Sequence, residues 1–579
     1  MELDNDKRDF FTTLGLFWLG FLFLGIILAL TGFFYKNLFV LYFILGGGYL
    51  LYVAPVSKIF SGFKKDSQIL FILAVSLFAI ILLSLNASPT VFSGRDQGSF
   101  SEAAIRLSQN RQLEFSTPAS SEFFNIYGPG KALNFPGFSY TANGNLTTQF
   151  PVGYTSWLAA WFSFFGLAGF AIANGITFFI FLVSSYLLTE NYLGKSAALA
   201  AYFLIATSFV FSWFLKFTLS ENLALALVWF GIFQFYLFLK NKRLLHLGAS
   251  LGAFGILLFI RIEAWFFLLM IFSYLVFNAK KQKESLRSYF KPQIILPLAI
   301  IGIFYLLTLK VNSPYYIALA KGFVKSFSGD NASLSEAVRD PLYALKIFSL
   351  YGIAGYLLLS FLAIARLIKQ KKHLLLLPFL IVLPSFFYLL HPGISSDHPW
   401  FLRRFIFSII PAIIFYAVYF LYERIRTPLL RWTLLLVLLF GNLFVLLPLG
   451  TFYPQKNLLN GVKVLSSEFK DTDLVLVDRE ATGDGWAMMA GPMNTLYGKQ
   501  AVYFFNPENL QRIDLEKFTG VYFIIPDKNL EFYEKSGLPG QLIPVKDYSM
   551  ESSDLNSTSF ELPAPQNIQT RGKIYLYQP

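Results

Sequence analysis

Asp96, Glu221 and Glu263 are carboxylates, and Arg261, Arg403 and Arg404 carry guanidinium groups; all six stand at ends of long apolar runs, with Asp397 and His398 close by in sequence. Charge at such positions is costly unless it faces protein, water or a ligand. Carboxylates there can accept a proton or hold a hard cation through oxygen, and the planar fork of arginine matches phosphate oxygens. Each residue also has a plainer reading. Asp96 could be a helix N-cap, Glu221 could meet the positive end of its own helix, and the arginines could reach to headgroups. Lys216 reads most simply as a headgroup anchor. Arg403 and Arg404 are neighbours, so on a helix they point apart and only one is expected to reach a shared ligand.

The stretch around Asp96 organises the rest. Arg95-Asp96-Gln97-Gly98-Ser99 follows the apolar run 69–85 almost at once. Ser99 and Glu102 have capping-box spacing, and Phe100, Ala103, Ala104 and Leu107 recur at i, i+3, i+4 and i+7. The pattern predicts a short amphipathic helix on the bilayer surface, with Asp96 at its positive end.

Composition says what such a helix lies against. Of 579 residues, 55% are hydrophobic and 67 are Phe, with mean hydropathy +0.55, which excludes a soluble globular chain. Thirteen runs suit spans, at 12–34, 38–56, 69–86, 168–188, 196–215, 219–239, 245–260, 264–278, 293–311, 348–365, 374–391, 404–422 and 433–452. The charge of +13 is dispersed in short loops and reads as topology rather than as a nucleic-acid surface. With a cytoplasmic N-terminus, roughly twenty Lys and Arg, among them Lys58, Lys64 and Lys65, fall inside against about five outside. The segment 152–165, with Trp157 and Trp161, is short for a span and is expected to be an interfacial helix. Treating it as a span would reverse every later loop. The first external loop is then 87–167. Sequons at Asn86, Asn145, Asn331 and Asn556 all fall on the outer side. With no cysteine there is no disulfide framework or thiolate metal site.

After residue 450 the pattern changes. Strands are expected at 473–478, 500–505 and 520–526, a helix at 507–518, and edge strands at 558–562 and 573–577. These argue a small, partly parallel α/β domain outside the membrane. The chain thus divides into 1–68 (extra N-terminal helices), 69–453 (a transmembrane module) and 454–579.

Several segments, in order, resemble a known family. A span followed by Asp96-Gln97-Gly98 and a helix resembles the first external loop of the GT-C glycosyltransferases, nearest the family 39 type of protein mannosyltransferases and aminoarabinose transferases. Phe150-Pro151-Val152-Gly153-Tyr154 with Phe165-Gly166 is similar to their Pro-Pro-Leu-Tyr segment, with valine replacing the second proline. Thr218-Leu219-Ser220-Glu221-Asn222-Leu223-Ala224-Leu225 resembles the outer start of a span carrying Pro-Asp/Glu-Ala-Leu. Ile260-Arg261-Ile262-Glu263-Ala264 resembles an Arg-Pro-Glu corner, with isoleucine for proline. His398-Pro399-Trp400-Phe401-Leu402-Arg403-Arg404-Phe405 ahead of Pro411 resembles a late His-Pro-Arg-Tyr segment.

That resemblance implies a GT-C-like, polytopic helical membrane protein of the cell membrane. It implies transfer of a sugar, with inversion, from a polyprenyl-phosphate-linked donor to a glycan, lipid or protein acceptor. Asp96 would be the base or a metal ligand, and Tyr154, Glu221, Arg261, Glu263, His398, Arg403 and Arg404 would bind substrate. A divalent metal ion on Asp96 and Glu221 is left open, and the C-terminal domain would be accessory. A transporter or lipid flippase for a glycan precursor is the alternative; it would favour charges at the bilayer midplane and paired repeats.

Overall fold

The computed structural model describes residues 2–53, 67–85, 87–88, 90–313, 316–317, 321 and 342–579. Asn86, Asn331, Lys58, Lys64 and Lys65 lie outside the described residues. The chain is a polytopic α-helical membrane protein with a C-terminal sheet domain. Among the described residues, seven helices are long and apolar enough to cross a bilayer, or up to nine if each bent pair counts as one span. One bent pair, Lys195–Ala206 with Phe209–Leu215, turns by 57°. The other, Tyr343–Leu350 with Ala354–Lys369, turns by 116°. The straight span expected at 348–365 is therefore corrected to two helices meeting at Gly352, whose φ of +72° suits glycine alone.

Burial ranks these helices. Ser220–Asn241 is apolar on all sides and buried from Ser220 to Leu239, packed against Ala168–Leu193 and Leu244–Leu257. A helix hydrophobic all round belongs in an interior, so Glu221, in its first turn, lies at the end of the bundle's central rod. Pro428–Leu449 is the opposite case. It buries Leu435, Leu438, Asn442 and Val445 and exposes Leu436, Val437, Phe440, Phe444 and Leu447, a continuous apolar stripe that suits lipid. Lys216 is no headgroup anchor. It is buried and donates to the carbonyls of Gly450 at 2.6 Å and Phe452 at 2.8 Å, tying off the end of that helix.

The helix Val152–Phe165 has the expected length, but its setting differs from expectation. It packs against the N-terminal helix, Ala168–Leu193 and the helix Asp96–Asn110, and Trp157 and Trp161 meet Trp18 and Phe21 rather than headgroups. The helix Asp96–Asn110 likewise does not lie free on a membrane surface. Nearly all of its first ten residues are buried between this helix and the C-terminal domain.

The C-terminal domain is a five-stranded sheet. Its strands are β4 (Leu474–Val477), β5 (Gln500–Tyr503), β6 (Val521–Pro526), β7 (Gln541–Asp554) and β8 (Gln566–Gln578), in the order β5-β4-β6-β8-β7; β1 (Gly130–Lys131), β2 (Phe138–Tyr140) and β3 (Leu146–Thr148) form a separate sheet in the loop expected to be the first external one. β4 runs parallel to β5 and β6 and is buried throughout, as an unbroken Leu-Val-Leu-Val run requires. The expected helix at 507–518 is two short 3-10 turns, because Asp514 caps a fresh turn at Glu516. The expected strand at 558–562 is absent; β7, longer than any strand expected from the sequence, forms that edge by pairing with β8.

The sheet domain and the segment 115–140 share one apolar core. Phe115, Phe123, Phe138 and Tyr140 from the loop cluster with Leu476, Phe504, Phe523 and Tyr533. Asn134 donates to the Tyr503 carbonyl at 2.6 Å, and Lys517 pairs with the buried Glu122 at 2.6 Å.

Glu102 sits on this seam, close to Gly491. Burial pushes its carboxyl up to about 7, with Arg106 pulling weakly the other way. A carboxyl whose folded value lies above its unfolded one keeps a proton that the unfolded chain gives up. Stability is therefore lost as pH rises from about 4.5 to about 7. Glu102→Gln should remove that loss, stabilising the protein by up to about 3 kcal/mol at pH 8 and changing little at pH 4.5. Thermal unfolding at both pH values checks this; equal gains at both would show that ionisation is not the cause.

Candidate active site

The helix Asp96–Asn110 starts three residues before the Ser99 at which the capping box was expected to open it. Its N-cap is Arg95, in extended conformation with no side-chain cap bond, and Asp96 is the first helical residue. Ser99 instead lies inside the helix, its hydroxyl 3.4 Å from the Ser93 carbonyl. Asp96 is thus not an N-cap, and its carboxylate is half-exposed. Gly98 explains the glycine of the motif: a Cβ there would lie 1.8 Å from the Phe92 carbonyl oxygen, so only glycine lets the chain turn back on itself.

From Asp96 a line of alternating charge runs into the bundle. Arg403 Nη2 lies 2.8 Å from Asp96 Oδ2, and Arg403 Nε lies 3.2 Å from Glu221 Oε1. Arg261 Nη1 approaches the same Glu221 oxygen at 2.9 Å. The Arg261 fork then grips Glu263, Nη2 to Oε1 at 2.6 Å and Nε to Oε2 at 3.2 Å, and Tyr388 donates its hydroxyl to Glu263. Five of the expected residues are therefore one connected group, drawn from the starts of two helices, the corner at 258–263 and the 3-10 helix Trp400–Phe405. Glu221, Arg261 and Glu263 are buried, which a charge survives only when paired in this way.

Arg404 completes the set differently. Its guanidinium lies over the Tyr388 ring at 5.7 Å, it forms no ion pair among the described residues, and its Nε is buried without a hydrogen-bond partner. The Nε of Arg403 is also without a well-angled bond, despite its closeness to Glu221. Two adjacent guanidinium groups, of which Arg404 holds no ion pair among the described residues, suit a group carrying several anionic oxygens.

Two expected site residues are not brought to this surface. His398 is fully buried, with Nδ1 2.9 Å from the Tyr351 hydroxyl and Nε2 2.7 Å from the Ser559 carbonyl, so neither nitrogen is left for a substrate. Burial pushes its imidazole below the ordinary range. Tyr154 is fully buried too; its hydroxyl donates to Asn174 at 2.9 Å and its ring meets Phe100 edge-on. Both act as packing. A metal on Asp96 and Glu221 does not fit either. The two carboxylates converge on Arg403, whose charge stands where a cation would, and no group of three or more His, Cys, Asp or Glu able to hold a metal occurs among the described residues.

Sequence reasoning missed Tyr388, Arg95 and Trp486. Tyr388 stands in an apolar run that says nothing of a hydroxyl aimed at Glu263. Arg95 stands in the stretch that carries Asp96, but nothing in the sequence ties it to Asp397 or Trp486. Asp397 takes Arg95 at 2.6 Å; burial works against that carboxylate, but Arg95, together with hydrogen bonds from Ser395 and the backbone, holds the carboxyl below the ordinary range.

No family model matches the chain, and no curated protein does. Among solved structures, it is similar to ArnT from Cupriavidus metallidurans in the apo state, at 11% identity and TM-score 0.48 over 88% of this chain and 98% of that one. The same protein bound to undecaprenyl phosphate matches at 12% and 0.48, over 87% and 97%. The Archaeoglobus fulgidus oligosaccharyltransferase, in complex with Zn and sulfate, matches at 12% and 0.46, over 82% and 72%.

Proposed function

We propose that this protein is a membrane glycosyltransferase of GT-C type that moves a sugar from a polyprenyl-phosphate-linked donor to an acceptor hydroxyl on the extracytoplasmic face. The observation that carries the reading is the charge line from half-exposed Asp96 through Arg403, beside the unpaired Arg404. It supplies a base and a phosphate cradle within one site. The ordered motifs of family 39 type support the same reading. The alternative transporter has less support, because the charges gather at helix ends and corners.

In the proposed reaction the acceptor oxygen attacks the anomeric carbon from the face opposite the phosphate. The new C–O bond forms as the bond to the phosphate oxygen breaks with its electron pair, giving inversion, and the hydroxyl proton passes to Asp96. Arg404, with Arg403, stabilises the charge developing on the departing polyprenyl phosphate. Donor phosphate competes with Asp96 for Arg403, so binding the donor loosens the ion pair that holds the base. Glu221 and Glu263 hold Arg403 and Arg261 in place. No step is routed through a metal ion.

Incubating the purified protein in lipid vesicles with a panel of radiolabelled polyprenyl-phosphate sugars tests the reading, with release of polyprenyl phosphate and glycosylated acceptor as the expected result. Movement of intact lipid between leaflets without transfer would favour the flippase. Orientation is part of the proposal, with the N-terminus cytoplasmic and the sheet domain outside the plasma membrane. In this cysteine-free chain an impermeant maleimide applied to intact cells should label Gly485→Cys and spare Lys283→Cys; the reverse pattern would invert the topology.

A further inference from the structure

We propose that Arg95 is the positioning residue for Asp96, and that Trp486 of the sheet domain closes the socket in which Arg95 is held. The C-terminal domain is then a working part of the site rather than an accessory. This rests on the function proposed above.

The Arg95 guanidinium lies over two indoles, 4.8 Å from the Trp400 ring centroid and 4.6 Å from that of Trp486, and its Nη2 donates to Asp397 Oδ2 at 2.6 Å. Little of the side chain reaches solvent. A guanidinium held by two aromatic rings and a carboxylate has its position determined by three contacts. That position is transmitted directly to the base. The Arg95 carbonyl accepts from Gly98 N at 3.1 Å and Ser99 N at 3.4 Å, the first turn of the helix on which Asp96 is the first residue.

Both neighbours dock on one segment with their charges crossed. Arg95 takes Asp397 and Trp400, while Asp96 takes Arg403. A shift of Arg95 would leave the buried Asp397 uncompensated and would move the Asp96 end of the second pair. Asp397 Oδ1 has no well-angled hydrogen bond among the described residues, and Arg95 at Oδ2 is the charge that offsets the burial of this carboxylate.

The sheet-domain loop that carries Trp486 is held by hydrogen bonds of its own. Trp486 N donates to Asp484 Oδ1 at 2.9 Å, Thr482 donates to the carbonyls of Asp484 and Ala487 at 3.0 Å, and Arg479 lies over the Trp486 ring at 5.4 Å while donating to the Gly485 carbonyl at 3.1 Å. The loop also abuts the chain beside Arg95. A Cβ on Gly94 would lie 2.1 Å from the Trp486 carbonyl oxygen, so glycine at 94 is what lets the domain come this close.

The test compares the full-length parent with Trp486→Ala, Trp486→Phe and Arg95→Lys in lipid nanodiscs. Three readouts are used: hydrogen exchange of the backbone at 93–99, affinity for undecaprenyl phosphate, and kcat and KM with the lipid-linked donor that the parent consumes. Trp486→Ala should speed exchange at 93–99 and lower kcat by roughly ten- to a hundredfold, as expected of a misplaced base, with affinity and KM within about twofold. Trp486→Phe, which keeps an aromatic face, should recover most of the rate. Arg95→Lys should resemble Trp486→Ala, since a point charge cannot replace a planar group lying over two rings. Unchanged exchange and kcat in Trp486→Ala would overturn the proposal, as would equal losses of kcat and lipid affinity, which indicate a general collapse. If the parent consumes no lipid-linked sugar, the proposed function fails on its own; the exchange measurement still decides whether Trp486 holds this turn.

Discussion

Asp96→Asn is expected to bind the lipid donor as the parent does and to turn it over more slowly by roughly two to four powers of ten, the usual worth of a positioned base. Asparagine keeps the shape and a hydrogen-bonding oxygen near Arg403 but cannot take the acceptor's proton. Folding should be little affected. The Asp96 side chain is 44% exposed, and Arg403 keeps Glu221 at 3.2 Å. Donor affinity should hold or rise slightly, because a neutral residue competes less for Arg403. Turnover and donor binding measured on the same preparation check this. Near-normal turnover would reduce Asp96 to a charge at the positive end of its helix.

Arg404→Lys should have the opposite signature. Lysine keeps the charge but loses the fork, so at least one charge-assisted bond to phosphate is lost, worth roughly 1.5–3 kcal/mol. That corresponds to roughly ten- to a hundredfold in donor affinity. Thermal stability should barely change, since Arg404 holds no ion pair among the described residues. Arg403→Lys serves as the contrast. Arg403 joins Asp96 to Glu221, and replacing it disturbs a buried carboxylate, so its loss should lower the melting temperature as well as activity. If Arg404→Lys binds donor as the parent does while Arg403→Lys binds none, the phosphate contact belongs to Arg403 and the assignment is reversed. Neither substitution alone makes that distinction, because both remove a fork from the same region.

Much of the architecture was legible because it follows from local rules. Runs of about twenty apolar residues must be buried or meet lipid. The unbroken Leu474-Val475-Leu476-Val477 run announced a strand covered on both faces, and it lies at the parallel centre of its sheet. Local signals misled where tertiary contacts overrode them. Ser99 and Glu102 have the spacing of a capping box, but the helix begins at Asp96, where Gly98 packs back against the Phe92 carbonyl and Gly94, just ahead of the helix, abuts Trp486. Val152–Phe165 looks interfacial by length and tryptophan content, yet the N-terminal helix covers it.

The sequence by itself determined a polytopic helical protein carrying carboxylates and arginines at helix ends, because apolar length and the cost of buried charge are written residue by residue. Only the tertiary structure decided which charges meet. Arg95 and Asp397 are 302 positions apart in the chain, and nothing near either one names the other. His398 and Arg404 looked alike as candidates. Tyr351 and Ser559 consume both nitrogens of the first, while the second keeps a buried donor unspent. The physical reason is that hydrophobic pattern and period encode depth and secondary structure. The rotation of each helix and the approach of distant segments decide which side chain finds a partner and which is left for a ligand.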